Sequence, residues 1–242
     1  MSTPENTGLH SGPSPKGVFA VATKAKDPLR KRSEARQLYR TSDGQIVPGV
    51  TTITGMVGKE ALIHWAWKLG MEGIDYRTYR DAAATVGTLA HAMVEAHIKG
   101  EQIDLSTYDP ETIDLAENGF LKFLEWEKTY EPKYIFSERQ MVSDELRYGG
   151  TLDCYAEIDG NPWLIDFKTG KAIYEDMGFQ LAAYAGLLIG HGYRVYGARI
   201  LRIGRSEDEG FEDRVFGNLE PYYRGFRSLL DFYYAKKEVS GR

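Results

Sequence analysis

Asp153 stands in the segment YGGTLDCYAEI, and Asp166 and Lys168 close the segment WLIDFK. Both segments alternate β-branched or aromatic residues with polar ones, the pattern of a strand. Side chains two apart on a strand share a face. Asp166 and Lys168 therefore point one way, with Ile165 and Phe167 on the other, and Asp153 shares a face with Thr151 and Tyr155. The turn Asp159-Gly160-Asn161-Pro162 pairs the two strands as a hairpin and brings Asp153 beside Asp166. Adjacent carboxylates repel unless one is protonated or a cation bridges them. Mg2+ or Mn2+, with oxygen ligands, meets that need. Such an ion supplies a Lewis acid and a bound water of lowered pKa, and Lys168 alongside can orient the water and offset charge on a phosphate. The competing reading is a surface hairpin with scattered charges. Apolar residues flank all three positions, so the strand is expected to be buried, where an unpaired carboxylate is costly.

Other chemistry-bearing residues lie on the flanking elements. Gln180 and Tyr184 are four apart on a helix expected over 176–190, so they share one helical face. Gly87 and His91 lie mid-helix in a segment expected over 78–99, and Glu138 lies in a first strand, 134–142. His97 is near His91 but reads as structural, as does Glu157, and His10 and His64 carry no signal. Lys171, just past the DFKTG strand end, is a candidate phosphate contact. Arg199, Arg202 and Arg205 fit either a phosphate-binding groove or a solvated edge. The pairs Tyr222-Tyr223 and Tyr233-Tyr234 could stack on bases, although helix core is the more ordinary use of such residues.

The elements that must position these groups follow from periodicity. A short helix begins near Val50, and a second covers 60–70, where Trp65 and Trp67 are expected in the core. Helices over 78–99 and 110–129 follow, the last opened by Pro110. Strands are expected at 134–142, 148–158 and 163–168, then a helix, a strand over 193–203, a short strand at 211–216 and a helix over 219–237. Residues 1–17 are rich in Ser, Pro, Gly and Thr and read as a disordered tail. Residues 18–40 are basic, either a solvated charged segment or an arm that holds phosphates. The expected organisation is that tail, a basic and helical region over 18–130, and a core over 131–242, all in one compact domain.

Composition narrows the function. The 242 residues are 42% hydrophobic and 27% charged, which excludes a largely disordered chain. Cys154, the single cysteine, cannot form an internal disulfide, a four-cysteine zinc site or an iron–sulfur cluster. No apolar run approaches the roughly 18–20 residues that span a bilayer, so no membrane partner is expected. A soluble protein of a reducing cytoplasm follows as the expectation. The formal charge of −5 argues mildly against non-specific duplex binding, but a basic groove can sit inside an acidic total.

The arrangement of Asp153, a short turn and Asp166-Phe167-Lys168 resembles the PD-(D/E)XK nuclease superfamily. Gln180-Leu-Ala-Ala-Tyr184 resembles the QxxxY motif of its RecB-type exonuclease branch, and Gly87-Thr-Leu-Ala-His91 resembles that branch's GxxxH. Glu138 matches a Glu often placed before the GxxD strand. The likeness runs over roughly residues 48–190, where VPGVTTITG and IHWAWKLG also look like the opening of phage and prophage members. This chain departs from the pattern in having no Pro before Asp153 and no cluster cysteines.

The resemblance implies an α/β fold with a restriction-endonuclease-like core, a mixed central sheet flanked by helices, and an N-terminal helical extension. It implies metal ligation by His91, Asp153, Asp166 and the carbonyl of Phe167, with Mg2+ or Mn2+ as cofactor. Lys168 would assist water attack. Gln180 and Tyr184 would hold the backbone or orient Lys168, and Glu138 would make a water-mediated metal contact or an ion pair. The implied function is a metal-dependent DNA exonuclease of recombination, repair or processing in a bacterial or phage-infected cell, with DNA and a protein of a repair or recombination complex as partners. The alternatives are a structure-specific endonuclease of the same fold and a catalytically inactive nucleic-acid-binding or assembly protein.

Overall fold

Most of the alternating and amphipathic segments become strands and helices at the expected places. The structure is a computed structural model that describes residues 38–57, 60–204 and 209–241. The expected tail, the basic segment up to residue 37, His10 and Arg205 lie outside the described residues. In chain order the elements are β1 (Tyr39–Arg40), β2 (Ile46–Val47), α1 (Val50–Thr54), α2 (Glu60–Met71), α3 (Tyr76–Lys99) and α4 (Pro110–Tyr130). There follow β3 (Lys133–Ser143), β4 (Tyr148–Ile158), β5 (Asn161–Lys168), α5 (Met177–Gly190), β6 (Gly197–Ile203), β7 (Phe211–Phe216) and α6 (Glu220–Val239).

Among the described residues the main sheet has five strands in the order β3-β4-β5-β6-β7. Neighbours are antiparallel except β5 and β6, which are parallel and joined through α5. Asp159 and Gly160, at φ 50° and 73°, make a two-residue turn between β4 and β5. Both positions of such a turn need positive φ, which Asp tolerates and Gly adopts freely. The fold is thus α/β, a mixed sheet with helices on both faces.

Each face buries its own apolar cluster. On one, Leu164, Ala198 and Ile200 pack with Val50 and Ile53 of α1, Leu181, Leu187 and Leu188 of α5, and Phe226 and Leu230 of α6. On the other, Ile165, Phe167, Leu201 and Ile203 pack with Val86, Leu89 and Val94 of α3 and Ala116, Phe123 and Trp126 of α4. The helices expected as an N-terminal extension are therefore one of the two layers over the sheet. Without α3 and α4, Ile165, Phe167 and Leu201 would face water. Caps set the ends of both helices: Asp75 accepts from Arg77 N, Asp109 accepts from Thr112 N, and Gly100 ends α3 at φ 67°.

Two expectations fail for physical reasons. The strand expected over 193–203 begins only at Gly197, where pairing with Trp163 starts. Tyr193 and Tyr196 mimic strand alternation, but Tyr193 packs edge-on against Phe136 and Tyr155, and Tyr196 against Trp163. Trp67, expected in the core, is 60% exposed, because α2 turns Ile63, Trp67 and Met71 outward and buries Leu69. Among the described residues, no helix is long and apolar enough to cross a membrane.

Phe123 is fully buried and sits edge-on to Phe167 with centroids 5.7 Å apart. Phe123→Ala is expected to cost about 3–4 kcal/mol through lost transfer energy and a cavity between α4 and the sheet. Urea unfolding checks this, as a lower midpoint at unchanged slope.

Candidate functional site

The ladder between β4 and β5 ends at Cys154 and Ile165, one rung short of Asp153 and Asp166. There the Asp153 carboxylate takes the place of a backbone acceptor. Its Oδ2 accepts from Phe167 N at 2.9 Å and lies 3.3 Å from His91 Nε2 of α3. The side-chain alternation of β4 slips by one residue at this point. Leu152 and Tyr155 belong to the α5–α6 face, while Cys154, Ala156 and Ile158 belong to the α3–α4 face. Tyr155 is thus drawn into the cluster of Leu152 rather than lining a face with Asp153. The facing strand slips as well: Met141 and Phe136, five positions apart, both pack on the α5–α6 face. Glu138, between them, is in the left-handed region at φ 48°, a strained conformation for this residue.

His91, Glu138 and Asp153 are brought together by this double irregularity, with one potential ligand atom each, all within 4.8 Å of one another. Asp166 falls outside that spacing. It belongs to a second chain of contacts, on the α5 side. Gln180 Nε2 donates to Asp166 Oδ1 at 3.0 Å and to the Tyr184 hydroxyl at 3.2 Å. Lys168 Nζ is ion-paired with Asp166 Oδ2. Oδ2 is buried, and Lys168 is the partner that offsets its charge. Phe167 links the two groups through its N–H, and its ring stands edge-on to His91 at 5.7 Å. His91, Glu138, Asp153, Asp166, Phe167, Lys168, Gln180 and Tyr184 thus gather around the end of β5.

Electrostatics tie the two groups together. Burial and the charge of Asp153 push Glu138 up to about 7. Burial also raises Asp166, to about 6, with Lys168 opposing and Asp153 adding. Burial pulls His91 down, but its bond to Asp153 and the charges of Asp153 and Glu138 prevail and raise it to about 9. Asp153 is pushed up by burial, yet His91, Lys168 and Phe167 N hold it below the ordinary carboxylate range. Lys168 is disfavoured as a cation by burial, but Asp166 and Asp153 outweigh this and keep it an ammonium. Three carboxylates therefore face Lys168 and a protonated His91. A metal-ligating His91 must be neutral; with all three carboxylates ionised against Lys168, two negative charges are then in excess, the charge of one divalent cation. The His91–Glu138–Asp153 group fits such an ion.

Other expected residues fall elsewhere. Arg199 is buried between the rings of Tyr130 and Trp163, 4.7 and 4.4 Å away, and is ion-paired with Asp213. Arg202, also buried, donates to Gly170 O and Glu209 O and pairs with Glu212. Neither lines a solvent-facing phosphate groove, since both are consumed in holding the sheet and the loop after Lys168. Lys171 is exposed in that loop. Tyr222, Tyr223, Tyr233 and Tyr234 pack against the α5–α6 core. His97 bonds Glu127, and Glu157 pairs with Lys133, both structural contacts.

Sequence reasoning missed Tyr39. Its ring covers Gly149 and Gly49, where a Cβ would meet it at 2.7 and 2.9 Å, and its hydroxyl bonds the Thr151 hydroxyl at 3.0 Å. The only signal was the pair of glycines, whose close approach the sequence does not connect to residue 39.

No family model matches this chain, and no curated protein matches it. Solved structures do, among them one described as "Crystal structure of SSO0001", with 12% identity and a TM-score of 0.33, over 66% of this chain and 75% of that one. A likeness this loose carries no argument about activity.

The shifts of Glu138 and His91 set a pH dependence for the metal-free protein. Glu138 binds its proton more tightly folded than unfolded, so its contribution is full below 4.5 and is lost as pH rises through about 7. For His91 the contribution is full below 6.5 and is lost as pH rises through about 9. In chelator, the calorimetric melting temperature is expected to fall between pH 5 and 9. Glu138→Gln should remove the lower part of that fall and gain about 5 °C at pH 8.

Proposed function

We propose that this protein is a metal-dependent DNA nuclease, an exonuclease, with a core of the PD-(D/E)XK type in its RecB-like branch. The observation that carries the reading is the Asp153 carboxylate, held between His91 and the backbone N–H of Phe167. Through it the group of His91, Glu138 and Asp153 adjoins Asp166, Lys168, Gln180 and Tyr184. Buried carboxylates in excess of cations, next to a lysine held as an ammonium, suit cleavage of an anionic backbone better than they suit a structural role.

His91, Glu138 and Asp153 would hold Mg2+ or Mn2+, with Asp166 beside them and paired with Lys168. The imidazole favours Mn2+ more than an all-oxygen set would. Such an ion supplies Lewis-acid polarisation of a phosphoryl oxygen and offsets the charge that builds there. The other steps belong to the side chains. Lys168, paired with Asp166, turns its remaining N–H donors to the phosphate oxygens as their charge grows. Gln180 of α5 fixes the Asp166 carboxylate and is itself braced by donating to the Tyr184 hydroxyl. Water displaces the 3′ oxygen, which leaves with a proton. DNA ends are the proposed substrate, in recombination or repair and together with a protein partner.

The test is cleavage of end-labelled linear and circular DNA, single-stranded and duplex, in Mg2+, Mn2+ and chelator. Loss of linear DNA alone, dependent on metal, is expected. Asp166→Ala and Lys168→Ala should each slow it by about a thousandfold or more. Full cleavage by Asp166→Ala would overturn the proposal, and cutting of circles would make the enzyme an endonuclease. Calorimetric titration of the wild type with Mn2+ should show binding that His91→Ala weakens at least about tenfold. A wild type that binds no metal and cleaves nothing would leave a binding or assembly protein.

A further inference from the structure

Gly87 lies one helical turn before His91, on the same face of α3. A Cβ built on it would stand 2.2 Å from Thr169 Oγ1, 3.0 Å from Thr169 Cβ and 3.8 Å from Thr169 Cγ2. Thr169 follows Lys168, the last residue of β5. The bare backbone of α3 therefore presses on the point where the chain leaves the candidate site. One turn on, His91 meets the ring of Phe167 from the same strand and reaches Asp153 Oδ2 at 3.3 Å.

We infer that Gly87 is a positioning residue, a spacer whose missing side chain sets how closely α3 approaches β5 and hence the separation of His91 from Asp153. Rotation of Thr169 can move Oγ1 aside but does not relieve the contact fully. Its Cβ stays at 3.0 Å in every rotamer, and a β-branched residue carries two heavy atoms to place. Relief then requires α3 and the chain at Thr169 to part by a few tenths of an ångström, at or above the ~0.2 Å within which metal–ligand distances are held. The burial of Val86, Leu89 and Ala90 around Gly87 transmits the shift along the helix rather than absorbing it. The consequence for metal affinity rests on the metal-site reading proposed above, whereas the spacing does not.

The test uses the full-length protein with Gly87→Ala, Thr169→Gly and the double variant, which removes the three atoms nearest the new methyl group. Mn2+ affinity is read by calorimetric titration, and the His91–Asp153 separation from crystals of the metal-free wild type and Gly87→Ala. Gly87→Ala is expected to weaken Mn2+ at least about tenfold and to widen the separation beyond 3.3 Å. The double variant should return to the affinity of Thr169→Gly, a rescue that general destabilisation would not give. Wild-type affinity with unchanged separation in Gly87→Ala, or a double variant no better than Gly87→Ala, would overturn the inference. Should Gly87→Ala fail to fold, a double variant that folds and binds Mn2+ supports the spacer, and one that does not fold overturns it. A wild type that binds no Mn2+ defeats the metal reading instead, and the crystal separations then decide the spacer on their own.

Discussion

The Asp153 carboxylate does the work of a missing rung between β4 and β5. Where the backbone ladder stops at Cys154 and Ile165, its Oδ2 accepts the Phe167 N–H that would otherwise be left without an acceptor. A buried N–H without a partner costs about 1–3 kcal/mol, and a carboxylate acceptor makes a stronger bond than a carbonyl. The same oxygen meets His91. One group thus joins the second and third strands and draws in the helix layer that covers them. Removing it would open the sheet and strand a histidine at once, so fold and site share a single point of failure.

The slip in β4 distributes the acidic groups over both layers. Opposed residues of a regular antiparallel pair face the same side, so uninterrupted alternation would aim Asp153 and Asp166 at one helix layer. Instead Asp153 meets α3 through His91, and Asp166 meets α5 through Gln180. Repulsion between them is lowered, though it still contributes to the raised pKa of Asp166. Lys168, at the strand end, feels both carboxylates and stays charged despite its burial. The strain at Glu138 completes the arrangement: a left-handed residue in mid-strand costs of order 1 kcal/mol or more and turns a third carboxylate into the same space.

Period-two and period-3.6 patterns made much of this legible beforehand. They separated Asp166 and Lys168 from Ile165 and Phe167, and the structure indeed splits them between the two faces. The i,i+4 spacing of Gln180 and Tyr184 became a direct hydrogen bond. The hairpin expected at Asp159-Gly160-Asn161-Pro162 formed, but its turn is only Asp159-Gly160, since Asn161 and Pro162 already pair with Ile158 and Glu157. What stayed hidden depends on contacts between distant segments. No local pattern announces that Glu138 will adopt positive φ, because that region is taken under tertiary constraint. Nor does alternation reveal where it will break, and the slip at Asp153 separated Tyr155 from the face assigned to it. The cover of Tyr39 over Gly149 is invisible for the same reason. Residues 193–196 misled in the opposite direction, since their aromatic alternation serves loop packing.

Small residues carry as much of the geometry as charged ones. Gly87 admits Thr169, Gly149 admits Tyr39, and Gly150 admits the ring of Tyr184, each where a Cβ would stand under 3 Å from the neighbour. All three neighbours border the acidic cluster: Thr169 follows Lys168, Tyr39 bonds Thr151, and Tyr184 bonds Gln180. Close-packed interiors pass on displacements of less than an ångström rather than absorbing them. The separation of His91 from Asp153 is therefore set by how near α3 can come to the sheet. Negative charge gathers at this place, and the absence of side chains around it lets the elements that carry His91, Glu138 and Asp153 close in on one another.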